Sequence, residues 1–188
     1  MIDHHVGKIV RESVGILVVA SIISTFGGIG IEALSSKLVW LLPVIILLPS
    51  LNDMIGDFGS IIASRFTMML FKKEVSEKNL WKRNHVHHLF FVSVGIAICT
   101  AVYVSVLAYF IASVMGFPFD KLVFQKVIFI AMITTVFLIL LLFFMSIIGG
   151  LYVYRRKHDP DNYLIPLTTA IADFGSMILL ALLVAWLF

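Results

Sequence analysis

The chain has 188 residues, 61% of them hydrophobic and 13% charged, with a mean hydropathy of +1.06. Soluble domains run near about 45–50% apolar and about 25% charged, so a water-soluble globule is excluded and an integral membrane protein is indicated. The net charge of +3 is small and its basic residues sit beside apolar ends, which excludes a nucleic-acid partner and makes the lipid bilayer the expected one.

A helix needs about 20 mostly apolar residues to cross the hydrocarbon core. The first such run extends from Ile9 to about Ile31, after a short polar N-terminus, and closes on Phe26-Gly27-Gly28-Ile29-Gly30. Further apolar segments follow it, so it reads as a retained span rather than a cleaved signal. The second run, Leu38 to Phe71, is too long for one straight crossing at ~1.5 Å per residue. Pro43 and Pro49 lie within it and predict a break or kink near Pro49-Ser50. The third run is about Leu89 to Met115, the fourth about Val123 to Val153, and the fifth Tyr163 to Phe188. Lys72–His88 is the one linker-like soluble segment. Cys99 is the single cysteine and lies in an apolar run, so no disulfide framework exists within the chain.

The loops set the orientation. Lys72, Lys73, Lys78, Lys82 and Arg83 separate runs two and three, Arg155, Arg156 and Lys157 separate runs four and five, and Lys8 and Arg11 precede run one. The opposite side carries only Lys37, Lys121 and Lys126. The positive-inside rule then places the N-terminus in the cytoplasm and the C-terminus outside. Two full crossings within run two would separate the basic loops from the N-terminus, so run two counts as one interrupted span. The expectation is a single all-α transmembrane domain over residues 1–188, a multi-pass cell-membrane protein of five helices. Trp40, Trp81 and Trp186 fit interfacial anchors.

Charged side chains at the bilayer centre cost about 2.5–3.5 kcal/mol each on insertion scales, so those present demand a reason. Run two holds Asn52, Asp53 and Asp57, and run five holds Asp173. At helical spacing, Asp53, Gly56, Asp57, Ser60, Ala63, Ser64 and Thr67 fall along one stripe. Thr169, Ala172, Asp173 and Ser176 form another. Small residues allow close helix approach, and carboxylates and hydroxyls are hard oxygen ligands. The tetrapeptide Asp57-Phe58-Gly59-Ser60 recurs as Asp173-Phe174-Gly175-Ser176, which suggests two related helices lining one path. Candidate metal-contacting residues are therefore Asp173, Asp57, Asp53, Asn52, Thr169 and Ser176. A structural reading competes, in which these aspartates are protonated or paired packing groups. His4, His5, His85, His87 and His88 lie near basic or terminal segments with no cysteine or carboxylate to complete a zinc site. Ser21, Ser24, Thr100, Thr134 and Thr135 are expected to bond backbone or neighbouring helices.

These residues resemble the membrane domain of the MgtE magnesium transporters and their animal solute-carrier relatives. The resemblance is carried by Leu48-Pro49-Ser50-Leu51 through Gly56-Asp57 to Ala63-Ser64-Arg65. It continues in Asp159-Pro160-Asp161-Asn162, Pro166, Thr168-Thr169 and Asp173, and so covers nearly the whole chain. It implies a homodimer with spans two and five of each subunit around a central pore, Mg2+ as the transported ion, and Asp173 as the carboxylate that meets the hydrated ion. It implies no organic cofactor and no catalysis. Asp57 departs from the pattern, since the family usually has asparagine there. Large cytoplasmic sensing domains have no room in 188 residues, so gating through them is not carried over. A dimerising single half fits a channel or an exchanger.

Two rivals stand beside this reading. A sodium- or proton-coupled carrier would use intramembrane aspartates too. Asp53, Asp57, Gly59 and Ala63-Ser64-Arg65 superficially resemble the CDP-alcohol phosphotransferase signature, but the aspartate spacing differs and the downstream aspartate pair is missing.

Overall fold

The computed structural model describes residues 2–32, 40–75 and 84–188, with side chains described from Ser13 onward in the first stretch and from His85 onward in the third. Among the described residues there are five helices and no strands. They are α1 (Ile2–Glu32), α2 (Leu42–Phe71), α3 (Asn84–Val114), α4 (Lys121–Arg155) and α5 (Asp161–Leu187). All five are long and apolar enough to span a membrane. Without water, backbone N–H and C=O groups must be satisfied within the segment, and a helix does this. Lys37, Lys78, Trp81, Lys82 and Arg83 lie outside the described residues, as do the side chains of His4, His5, Lys8 and Arg11.

Three features differ from the sequence expectation, one being that α3 starts at Asn84, so residues 84–88 of the segment expected to be linker-like are helical. α1 starts at Ile2, so the polar N-terminal residues continue the first helix. α2 is helical throughout Leu42–Phe71 with Pro49 inside it, so the predicted interruption near Pro49 is not seen as a helix end. Proline removes one N–H and crowds the carbonyl four residues back. That local loss does not stop a helix whose flanking turns are fully bonded and packed by neighbours. Pro43 falls in the first turn, where its missing N–H has no intrahelical partner to lose.

Side-chain pairings give the helix directions. Ser24 meets Asp173 and Gly30 meets Ile178, so α1 runs parallel to α5. Asn52 meets Asp173 and Ser60 meets Thr169, so α2 runs antiparallel to α5. α2 packs on α3, α4 and α5, and α4 also packs on α3 and α5, while α1 leans chiefly on α5. One apolar core joins Leu47, Leu51 and Ile55 of α2 to Leu138 and Leu142 of α4 and Leu180 of α5. A second, nearer the α2–α3 connection, joins Ile62 and Phe66 to Val86 and Ala97 and to Ile139 and Phe143.

The helix ends carry specific locks. Asp120 caps α4, its carboxylate accepting from the N–H groups of Leu122 (2.7 Å) and Val123 (3.2 Å). The Tyr109 hydroxyl accepts from the Asp120 N–H (2.8 Å) and donates to the Asp120 carbonyl (3.0 Å), fixing the α3–α4 connection. Lys126 donates to the Leu187 carbonyl (2.6 Å), so the start of α4 ties down the end of α5. α2 and α4 both end in a lysine with positive φ, Lys73 at 56° and Lys157 at 61°. These basic ends also complement the negative C-terminal ends of the two helix dipoles.

Candidate functional site

Asp173 stands in the middle of α5 and is half-buried. Two helices hold its carboxylate. Asn52 of α2 donates from Nδ2 to Oδ1 at 2.8 Å, and Ser24 of α1 donates to Oδ2 at 2.8 Å. Ser176 closes the arrangement by donating to Asn52 Oδ1, which orients the amide so that its NH2 group faces Asp173. Ser176 also shares its hydroxyl with the Asp173 carbonyl at 3.1 Å. One turn toward the start of α5, Thr169 and Ser60 hydroxyls meet at 3.3 Å. An ionised carboxylate has about four lone-pair sites, and the Asn52 and Ser24 bonds occupy two, so Asp173 can still accept hydrogen bonds from water.

Glycines permit this closeness. A Cβ on Gly59 would meet Leu142 Cδ1 at 3.0 Å and Thr168 Cβ at 3.1 Å, and a Cβ on Gly175 would meet Leu138 Cδ2 at 2.6 Å. The two glycines of the repeated Asp-Phe-Gly-Ser thus abut leucines one turn apart on α4. The aspartates of the repeat do not share an environment: Asp173 is half-buried and doubly bonded, whereas Asp57 is exposed.

A cavity of about 580 Å³ is lined by Asn52, Asp53, Asp57, Thr169 and Asp173, with Pro49 at its wall. Five of the six residues singled out in the sequence therefore meet one space, and the sixth, Ser176, is bonded to Asn52 behind it. Liquid water takes about 30 Å³ per molecule, so an ion with six waters, roughly 200 Å³, fits. Across Thr169 and Asp173 lies a second cavity of about 600 Å³, lined on the α1 side by Ser21, Ser24 and Thr25. Among the described residues, no three acidic, histidine or cysteine side chains converge into a compact metal cage. His85, His87 and His88 are exposed at the start of α3.

The seam differs in detail from the predicted stripe. Asn52, Gly56, Ser60, Ala63 and Thr67 face inward, while Asp53 and Asp57 lie exposed at its open edge. Ser24, which the sequence offered only as a group bonding backbone or a neighbouring helix, is a direct hydrogen-bond partner of Asp173. Its signal was the cluster Ser21, Ser24, Thr25 and Gly27 on an otherwise apolar helix, the composition of a close polar helix interface. A Cβ on Gly27 would come within 3.1 Å of the Phe174 Cα, which shows how closely α1 approaches α5 beside Asp173.

A bundle of apolar helices holding an oxygen-lined, carboxylate-bearing cavity at mid-helix defines a polytopic membrane protein that handles cations. Residues 48–183 match the MgtE family of divalent cation transporters, well over half of the chain, and the chain belongs to that family. Comparison with curated proteins and with solved structures returns no match.

Proposed function

We propose that this chain carries Mg2+ across the membrane as a homodimer, with α2 and α5 of each copy lining the pore and Asp173 meeting the hydrated ion. One observation carries the reading: the Asp173 carboxylate is fixed from two sides, by Asn52 and Ser24, on the wall of a cavity that also holds Asp53 and Asp57. Mg2+ demands octahedral oxygen geometry and sheds water reluctantly, so it keeps several waters and contacts one or two carboxylates. A roomy cavity with a positioned carboxylate suits such an ion better than a dry cage does. Two copies of Asp173 across a two-fold axis would repel each other when the site is empty, and a divalent cation relieves that repulsion.

The cavity can also work when its full set of oxygens is completed only by the second copy. Asp53 and Asp57, exposed at the open edge, then raise the local cation concentration ahead of Asp173. The basic ends at Lys72, Lys73 and Arg155–Lys157 face the cytoplasm, with the N-terminus on that side and the C-terminus outside.

The test is uptake of Mg2+ into liposomes holding the purified chain, run with no gradient of other ions, with a sodium gradient and with a pH gradient. Uptake driven by Mg2+ alone supports the proposal as stated. Uptake that needs a sodium or proton gradient replaces it with the coupled carrier, and no divalent uptake under any condition refutes it.

A further inference from the structure

We propose that the cavity between α1 and α5 is a second binding site for a hydrated cation, held through its water shell by Ser21, Ser24, Thr25 and Thr169 on the α1 side of Asp173. The ion is a hydrated divalent one, and this identity rests on the transport reading above.

The two cavities meet Asp173 from different sides. One carboxylate oxygen is bonded to Asn52 of α2 and the other to Ser24 of α1, each at 2.8 Å. Along α5 the α2-side cavity reaches from Thr169 to Met177, and the α1-side cavity from Ile165 to Asp173. The α1-side cavity is therefore set back by about one turn, roughly 6 Å at 1.5 Å per residue, toward the Asp161 end of α5. Thr169 and Asp173 line both spaces, so the carboxylate stands where the two adjoin.

The hydroxyls on the α1 side have each already donated their single proton. Ser21 donates to the Leu17 carbonyl (2.8 Å), Thr25 to the Ser21 carbonyl (2.7 Å), Thr169 to the Ile165 carbonyl (3.0 Å) and Ser24 to Asp173 Oδ2. A hydroxyl has one proton and two lone pairs, so what each can still offer is an acceptor. Among the described residues, no lysine, arginine, histidine or side-chain amide lines this cavity. Its polar side chains are thus acceptors throughout, with a carboxylate among them. A hydrated divalent cation is the complement. Mg2+ sheds water reluctantly, and waters bound to it through oxygen turn only O–H donors outward. The space of about 600 Å³ exceeds the roughly 200 Å³ of an ion with six waters.

Back-bonding to the helix satisfies Ser21 and Thr25 one at a time, as it does for such residues in lipid. It does not account for their sharing a face with Ser24, at spacings of three and four residues, beside a carboxylate. Val19, Ile22 and Phe26 form a separate, exposed apolar stripe on the same helix.

The test puts a reporter cysteine at Leu17, on the cavity wall, in the full chain carrying Cys99→Ser and reconstituted in liposomes. It follows the reaction of that cysteine with a cationic methanethiosulfonate, with and without Mg2+. A thiol reacts as its thiolate, which apolar surroundings suppress. The expected result is faster reaction at Leu17→Cys than at Val19→Cys on the apolar stripe, slowed several-fold by Mg2+. Adding Ser21→Ala and Thr25→Val removes most of that protection. Reaction no faster than at Val19→Cys refutes the site, and so does reaction that Mg2+ does not slow, which leaves a cavity holding water alone. Protection that survives the loss of both hydroxyls refutes it as well. The readout needs no transport. Protection without liposome uptake leaves the site standing and sinks the transport reading, and uptake without protection does the opposite.

Discussion

Asn52 and Asp173 are 121 positions apart in the chain and are joined by a 2.8 Å hydrogen bond from the Asn52 Nδ2 to the Asp173 Oδ1. That contact, with the Ser60–Thr169 pair, sets the register of α2 against α5. It also leaves a carboxylate inside a membrane protein aimed and partly bonded, rather than free to rotate away from the cavity.

Replacing Asn52 by leucine removes both the donor to Asp173 and the acceptor of the Ser176 hydroxyl. Hydrogen bonds to charged groups contribute about 1.5–3 kcal/mol, and each 1.36 kcal/mol is about tenfold in rate. Asn52→Leu should lower Mg2+ uptake at subsaturating ion by about tenfold or more while the protein still elutes as folded material. Initial uptake rates in liposomes check this, and an unchanged rate would remove Asn52 from the site.

Ser24 makes the second bond to Asp173, from a helix that leans chiefly on α5. Ser24→Ala should reduce uptake by about tenfold on the same argument, and Ser24→Thr, which keeps the hydroxyl, should restore most of it. A purely spatial role for this position would give the reverse order, with alanine tolerated better than the bulkier threonine.

Gly59 and Gly95 make a matched pair. A Cβ at Gly59 would press on Thr168 and Leu142, whereas Gly95 on α3 has open space around it. Gly59→Ala should destabilise by about 1–3 kcal/mol through overpacking, and Gly95→Ala should be neutral or gain up to ~1 kcal/mol from helix propensity. Thermal unfolding midpoints in detergent, measured side by side, decide the matter.

Asp57 is exposed at the open edge of the cavity, at a position where the resemblance to MgtE transporters implies asparagine. Asp57→Asn should raise the KM for Mg2+ several-fold at low ionic strength and leave the maximal rate largely intact. The difference should shrink in 0.15 M salt, where the screening length falls to about 8 Å. A loss of maximal rate instead would mean that Asp57 contacts the ion during passage.

The number and type of elements were legible because long apolar runs in lipid have a single economical backbone solution. Asp173 and Asp57 stood out for the same reason, as ionisable groups where they are costly. What periodicity could not set was rotation about the axis of α2. Neighbouring residues on a helix differ by about 100°, so Asn52 and Asp53 are equivalent candidates until packing chooses between them. Gly59, where a Cβ would press on Thr168 of α5, lies on the face that meets α5, with Asn52 turned inward and Asp53 and Asp57 left at the edge. The break expected at Pro49 does not occur as a helix end because the proline rule is local, and buried Leu47 and Leu51 pack the helix on either side of it. Ser24 was expected to bond backbone or a neighbouring helix and does the latter, but nothing in the sequence separates it from Ser21, which bonds its own backbone at Leu17 at 2.8 Å, and so nothing there pairs it with Asp173.

The most direct measurement compares Mg2+ uptake by wild-type and Asp173→Asn protein in liposomes at matched protein density. Asparagine keeps the size of the side chain and an acceptor oxygen, so folding and assembly should persist while the charge is lost. The expected result is uptake for the wild type and only background for Asp173→Asn. Uptake by that variant at the wild-type rate would contradict the claim that this carboxylate meets the transported ion.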